Sequence, residues 1–277
     1  MEFLAGNGIS ELVVNLHRVP GLIKGKIQSW GKFKGNIHYI IEPEILGTGG
    51  GIKNAQSFLE REEMFIIVNS DTILDFDLTI ALKLHKARSP LATMVLFPLK
   101  DESYTPIYMD EEGKIVSIGR APEQFERAGY YTGVSILSPG IFSYLKKGKS
   151  CIVRDGFQKI IEEGEIVQGV MLEGTFLEFG TPEDYLRNTL SLLSTRRDEQ
   201  TGSSENARMI PPVHIGEGAQ IGRDAAIGPF VSIESGAIVG ENAKISHSIL
   251  WGKTRIEAGG QVENSIVTPM RILQCPL

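Results

Sequence analysis

An α/β domain followed by a short parallel β-helix is the fold class this sequence predicts, and three observations carry that prediction. Strand-like and helix-like segments alternate over residues 1–190, the pattern of a mostly parallel sheet flanked by helices. The run Thr195-Arg196-Arg197-Asp198-Glu199-Gln200-Thr201-Gly202-Ser203-Ser204-Glu205-Asn206 is polar and has nothing to bury, as in a linker. Beyond it, aliphatic residues recur every six positions, a period that fits neither an isolated helix nor an alternating strand but does fit a β-helix.

The elements follow in chain order. Residues 11–16 form a short apolar run between a glycine-containing turn and a Pro-Gly break, which reads as a buried strand. Residues 36–41 are a second strand. Residues 51–61 follow a glycine run and carry helical apolar spacing at Ile52, Ala55, Phe58 and Leu59. Residues 64–68 are apolar throughout, as expected of a strand covered on both faces. A helix over 78–88 and a strand over 91–99 continue the alternation. In the C-terminal part, Ile215, Ile221, Ile227, Ile233, Val239 and Ile245 stand at intervals of six, and Gly216, Gly222, Gly228 and Gly240 follow four of them. Ile249, Ile256, Val262 and Ile266 read as irregular continuations of that central stack, and the six hexads amount to about two coils. The boundaries are therefore 1–190 for the α/β domain, 191–210 for the linker, 211–267 for the β-helix and 268–277 for a tail.

Composition narrows the function. With 42% hydrophobic and 22% charged residues over 277 positions, the chain is globular and long enough for a substantial core. A net charge of -6 argues against nucleic-acid binding, which needs a basic footprint. The longest apolar stretches, such as residues 64–68, are too short to span a bilayer. Two cysteines, Cys151 and Cys275, make no disulfide framework and fit a reducing, cytoplasmic compartment. The five histidines show no metal-ligand spacing.

Two segments can carry chemistry. Glu42-Pro43-Glu44-Ile45-Leu46-Gly47-Thr48-Gly49-Gly50-Gly51-Ile52-Lys53 places four glycines and a threonine between a predicted strand and a predicted helix. Such a run is either an ordinary turn or a loop whose backbone approaches a ligand, with free N–H groups at the start of the following helix. Val68-Asn69-Ser70-Asp71 ends a buried strand on a carboxylate, at the edge where α/β sheets gather ligands. Asp71 is either a turn cap or a ligand for a hard cation.

The Leu46-to-Gly51 run, Val68-Asn69-Ser70-Asp71 and Phe179-Gly180-Thr181-Pro182-Glu183-Asp184-Tyr185, in that order and followed by a hexapeptide repeat, resemble the ordered motifs of the sugar nucleotidyltransferase (NDP-sugar pyrophosphorylase) family. The longer members with a C-terminal left-handed β-helix, such as mannose-1-phosphate guanylyltransferases, are the most similar. The resemblance implies a Rossmann-like nucleotidyltransferase sheet and Mg²⁺-dependent attack of a sugar-1-phosphate oxygen on the α-phosphate of a nucleoside triphosphate, releasing pyrophosphate. It assigns Asp71 and Glu178 to the metal, with Glu178 standing where the family usually has an aspartate. Glu42, Leu46, Gly47 and Thr48 would line the nucleotide. Gly133 and Arg120 would serve the sugar phosphate. Arg120-Ala121-Pro122 and Tyr131-Thr132-Gly133 replace the family's usual Glu-Lys-Pro and Asn-Ala-Gly, which blurs the choice of sugar.

The family's first strand and its Gly-x-Gly-x-Arg phosphate loop have no counterpart before Ile9. The expectation is an N-terminally truncated chain with weakened turnover, whose strands around Val13 and Ile67 are left with open edges. A homo-oligomer assembled through the β-helix or a sheet edge is also expected, because so short a solenoid caps against the first domain or another subunit. Uridylyl transfer to an amino-sugar 1-phosphate and a non-catalytic regulatory subunit that binds sugar nucleotides are the alternatives. A hexapeptide acyltransferase using His247 fits least, because such enzymes need more coils.

Overall fold

A computed structural model describes residues 1–99, 104–195 and 206–276; the central part of the polar linker, 196–205, lies outside the described residues. The chain divides into two compact units. The first comprises residues 1–70 and 74–176, and the second comprises 71–73 and 177–277.

In the first unit the helices are α1 (Glu2–Gly6), α2 (Pro20–Trp30), α3 (Gly47–Asn54), α4 (Gln56–Leu59), α5 (Thr79–Arg88) and α6 (Gln158–Glu162). The strands are β1 (Glu11–Leu16), β2 (Asn36–Ile41), β3 (Phe65–Val68), β4 (Thr72–Asp75), β5 (Ala92–Pro98), β6 (Pro106–Met109), β7 (Ile115–Ile118), β8 (Arg127–Leu137), β9 (Val167–Met171) and β10 (Thr175–Glu178). The second unit opens with α7 (Pro182–Thr195), and β4 and β10, which pair with one another, carry the chain across the division. Local signals explain the helix ends. Pro20 opens α2, where its missing N–H costs nothing, and Gly31 at φ 58° closes it with its N–H on Ile27 O.

The main sheet runs β7-β6-β8-β5-β9, with β3 against the other side of β8. β5 pairs parallel with β9, whereas β8 is antiparallel to β3, β5 and β6. Parallel pairing prevails elsewhere, in β1–β2 and along the C-terminal repeat. β5 is buried on both faces. Ala92, Met94 and Leu96 join one apolar core with Phe65, Ile141 and Phe157, while Val95 and Phe97 join another with Phe76, Tyr130 and Phe176. A buried strand of continuous apolar sequence is the physical consequence of helices and loops on either side.

β1 and β2 make a two-stranded sheet of their own, and β3 pairs only with β8 among the described residues. The expected open edges at Val13 and Ile67 are therefore present. Val13, Val14, Ile66, Ile67 and Val68 are half-exposed, so water reaches part of this backbone and the penalty for unpaired groups is smaller than for a sealed gap.

The C-terminal repeat winds as a three-sided parallel β-helix. One side carries Arg208–Met209, Ala226–Ile227, Lys244–Ser246 and Gln261–Glu263. A second carries Val213–Ile215, Val231–Ile233, Ser248–Leu250 and Ser265–Val267, closed by an antiparallel Ile272–Gln274. Gln220–Ile221, Ile238–Val239 and Arg255–Ile256 form the third. The sides hold three to five strands, so the solenoid is longer than the two coils that the unbroken hexads suggest.

The register also corrects part of the stack. Val213 lies opposite Val231, three hexads on, but Val231 lies opposite Ser248, one residue short of three hexads. Because strand side chains alternate between faces, one missing residue inverts which of them points inward. Leu250 and Val267 therefore fill the interior beside Ile233, while Ile249 and Ile266, expected in the stack, face outward. There they are covered by Leu186, Leu190 and Leu193 of α7. No helix among the described residues is long and apolar enough to cross a membrane.

Candidate active site

β3 delivers the chain to Asn69, whose N–H donates to Gly133 O at 3.2 Å. Gly133 sits at φ 76°, and a Cβ there would stand 2.7 Å from Asn69 Nδ2. Both the backbone conformation and the neighbouring amide thus exclude any side chain at this position. The two residues before it are committed inward. Thr132 Oγ1 donates to Val95 O at 2.9 Å, and the Tyr131 hydroxyl pairs with Ser135 Oγ at 2.8 Å, with burial pushing the phenol up. Arg120 is exposed in the turn after β7, where its carbonyl accepts from Ser117 Oγ at 2.6 Å.

In the second unit the two acidic residues singled out by sequence come together. Phe179 N–H donates to Asp71 O at 2.8 Å, which extends the β4–β10 ribbon and brings residues 71 and 178 alongside. A Cβ built on Gly180 would lie 3.7 Å from Glu178 Oε1 and 3.8 Å from Asp71 Oδ2. Burial, the Asp71 carboxylate and Asp184 hold the Glu178 carboxyl above its ordinary value. A half-buried carboxylate pair whose charges repel is relieved by a cation.

The start of α7 fixes this corner. Thr181 Oγ1 receives the Asp184 N–H at 3.1 Å and donates to Asp184 Oδ2 at 2.7 Å, and Pro182 occupies the first helical position. This is the N-cap half of a capping box, with the Asp184 carboxylate taking the Thr181 hydroxyl rather than its backbone N–H. Asn188 of the same helix donates its side-chain amide to Glu178 O. The Gly-Thr-Pro-Glu-Asp sequence therefore builds a helix start that pins the residue bearing the carboxylate. Among the described residues no group of three or more histidine, cysteine, aspartate and glutamate side chains is placed to hold a metal. Two carboxylates suit Mg²⁺, which keeps waters and takes phosphate oxygens for its remaining positions.

The glycine run is not the open loop that its composition suggests. Gly47–Asn54 is helix α3, and Gly49, Gly50 and Gly51 are buried. The N–H groups of Gly49 and Gly50 both donate to Ser150 O, at 3.0 and 3.3 Å. Ser150 N–H returns a bond to Leu46 O at 2.9 Å, and Ile152 N–H donates to Thr48 Oγ1 at 3.1 Å. A Cβ at Gly49 would come within 2.8 Å of Ser150 Oγ. Glycine is required here because the chain at 148–152 packs directly on the helix. Glu42 is buried and likewise engaged, accepting from Asn15 Nδ2 and, at 3.3 Å, from Leu46 N–H. Sequence reasoning missed Asn15, Asn69 and Ser150. Of these only Asn69 carried a signal, its place two residues before Asp71.

A family model described as nucleotidyl transferase matches residues 1–195, and a second, described as the GMPPB C-terminal domain, matches 209–273. The chain belongs to the nucleotidyl transferase family. Similar proteins include a UTP–glucose-1-phosphate uridylyltransferase of Synechocystis sp., 25% identical over 96% of this chain and 77% of that protein. A probable mannose-1-phosphate guanylyltransferase 3 of Arabidopsis thaliana is 28% identical over 92% of this chain and 84% of its own length. The mannose-1-phosphate guanyltransferase of Schizosaccharomyces pombe is 25% identical over 96% and 75%. The crystal structure of HddC from Yersinia pseudotuberculosis shares the fold, with a TM-score of 0.56 and 24% identity over 67% of this chain and 80% of that one. Nucleotidyltransferases of this kind use a divalent metal ion, and a nucleoside triphosphate and a sugar 1-phosphate fit the family.

Proposed function

We propose that this nucleotidyltransferase transfers a nucleotidyl group from a nucleoside triphosphate to a sugar 1-phosphate, giving a nucleotide sugar and pyrophosphate, with GTP and mannose 1-phosphate as the favoured pair. The convergence of Asp71 and Glu178 on one point above Gly180 supports this reading. In it the two carboxylates hold Mg²⁺, and the ion supplies charge neutralisation on the phosphates when bound. Glu42, Leu46, Gly47 and Thr48 are assigned to the nucleotide. In this role Glu42 works by fixing the Leu46 N–H and the start of α3, so it positions backbone rather than reacting. Gly133 and the exposed guanidinium of Arg120 are assigned to the sugar phosphate, the first by allowing close approach and the second by charge. Assembly as a homo-oligomer in the cytoplasm belongs to the same proposal.

Among the relatives, several mannose-1-phosphate guanylyltransferases favour GTP for this chain, whereas the Synechocystis uridylyltransferase favours UTP with glucose 1-phosphate. Pyrophosphate release decides between them. GTP and UTP are each crossed with mannose, glucose and N-acetylglucosamine 1-phosphates, in Mg²⁺ and in chelator. Release with one pair only, lost in chelator and in Asp71→Asn, is the expected result. Release that survives Asp71→Asn undiminished would remove the assignment.

A further inference from the structure

A charged and partly apolar surface lies on the first unit, around α2, to which the proposed reaction assigns no residue. Between Glu11 and Glu42 the chain has no aspartate or glutamate, yet it carries Arg18, Lys24, Lys26, Lys32 and Lys34. That is a block of one sign in a chain whose net charge is -6. Arg18 and Lys26 are exposed and take part in no ion pair among the described residues. Lys24 lies over the Tyr39 ring at 4.9 Å and keeps its charge, and Glu2, at 3.1 Å from Lys32, offsets one of the five.

Apolar side chains stand among these cations. Helix α2 has no buried residue. Val19 and Leu22 are 62% and 63% exposed, and Ile23 is 36% exposed. Spacings of three and four residues put Val19, Leu22, Ile23 and Lys26 on adjoining positions of one helix face. The surface beside them is clear of other chain, since a Cβ at Gly21 or Gly25 would meet nothing within 4 Å. Val19 also holds φ 45°, a backbone unfavourable for a β-branched residue. Its side chain gains no burial from that strain, which points to contact from outside the chain.

Charge and apolar surface together decide the occupant. A nucleic acid or a soluble polyphosphate would use the cations but leave Val19, Leu22 and Ile23 in water. A folded protein partner needs roughly 20–30 residues a side for a stable interface, and three apolar side chains fall far short of that. An anionic bilayer uses both. Basic residues gather at its negative surface, and apolar side chains of a surface helix enter the headgroup boundary. The long stems of lysine and arginine let the charged ends stay at the phosphates while their neighbours sink.

We propose that α2 and its flanking residues dock this protein on a membrane surface rich in anionic phospholipid. Arg18 and Lys26 meet headgroup phosphates, and Val19, Leu22 and Ile23 insert shallowly. The docking is peripheral, because a helix of 11 residues lies along a bilayer and is too short to cross it. This surface goes beyond the proposed reaction and does not depend on Asp71 and Glu178 binding metal.

Sedimentation of the whole chain with sucrose-loaded vesicles, in chelator, is the test. Vesicles of phosphatidylcholine with an equal share of phosphatidylglycerol should carry the protein down, and phosphatidylcholine alone should not. Rising salt should weaken the attachment. Arg18→Glu combined with Lys26→Glu should lower the partition coefficient about tenfold or more. Leu22→Ser keeps every charge and should still lower it several-fold, by roughly the share of apolar surface it removes. All three side chains are exposed, so these variants should melt with the wild type. The proposal is overturned by no partition onto the anionic vesicles, by equal partition onto phosphatidylcholine, or by either variant partitioning like the wild type. An unchanged Leu22→Ser, with heparin displacing it and the wild type alike, would assign the basic block to soluble polyanions instead. Asp71→Asn should sediment as the wild type does, so a failure of pyrophosphate release and a failure of docking are read separately.

Discussion

Replacing Glu178 by glutamine tests the carboxylate pair most directly, because it removes one charge and keeps the side chain's size. Glu178 Oε1 and Asp71 Oδ2 lie 3.7 and 3.8 Å from the same point, so they are within about 7.5 Å of each other. Two like charges at that separation repel by about 0.5 kcal/mol in water and about 2 kcal/mol at an effective dielectric of ~20. Glu178 is half-exposed, so solvent screening favours the lower part of this range, about 0.5–1 kcal/mol. The sign follows from its titration. The folded carboxyl is held above its ordinary 4.5, so its favourable contribution is complete below that value and is lost as pH rises through the folded one. At pH 7 without metal, Glu178→Gln should therefore be the more stable protein, melting roughly 1–4 °C higher for a chain of this size. At pH 4 the difference should vanish. On the proposed metal site Mg²⁺ should reverse the order, since an ion present at a hundred times its Kd would stabilise the wild type by about 2.7 kcal/mol and the variant by less. Thermal melts in chelator and in Mg²⁺, at both pH values, give the four numbers needed. A variant that melts lower than wild type in chelator, or that gains as much from Mg²⁺, would refute the reasoning.

Other perturbations have equally definite outcomes. Gly133→Ala should cost about 2 kcal/mol or more in chemical denaturation, from the left-handed backbone and the contact with Asn69. Leu250→Ala should destabilise the protein by about 2–5 kcal/mol as a fully buried interior residue, whereas Trp251→Ala next to it should cost far less. His85 is buried between Thr93 Oγ1 and Ser138 Oγ, at 2.8 and 3.1 Å, and burial holds it below its ordinary 6.5. Its contribution is complete above pH 6.5 and is lost as pH falls toward the folded value, so denaturation midpoints should drop below pH 6.5 by more in the wild type than in His85→Gln.

Much of this architecture is written locally and could be read from sequence. The apolar run at β5, the Thr-Pro-Glu-Asp start of α7 and the spacing of six from Ile215 to Ile245 each reflect forces that act between near neighbours. What sequence hides is partner choice. Nothing in residues 127–137 announces that β8 pairs antiparallel on both sides, because that follows from tertiary pairing. The glycines at 49–51 left two readings open for a related reason. Absence of Cβ permits close approach by a ligand and by the protein's own chain alike, and here the chain at 148–152 occupies the space. Ile249 and Ile266 failed as stack residues because a single missing residue reverses the face while leaving local hydrophobicity unchanged. Asp71 and Glu178, by contrast, became readable as a pair only through the family's motif order, since no local pattern links positions so remote.

That remoteness bears on how the protein assembles. Residues 71–73 are a three-residue excursion into the second unit, and the whole of 74–176 must be laid down before residue 178 can reach them. A contact closing so long a loop is entropically slow to form and comes late on the route to the native state. An ion that needs both carboxylates then has no partner on the nascent or half-folded chain. Its uptake would serve as a timestamp for completion, following rather than directing the collapse of the sheet.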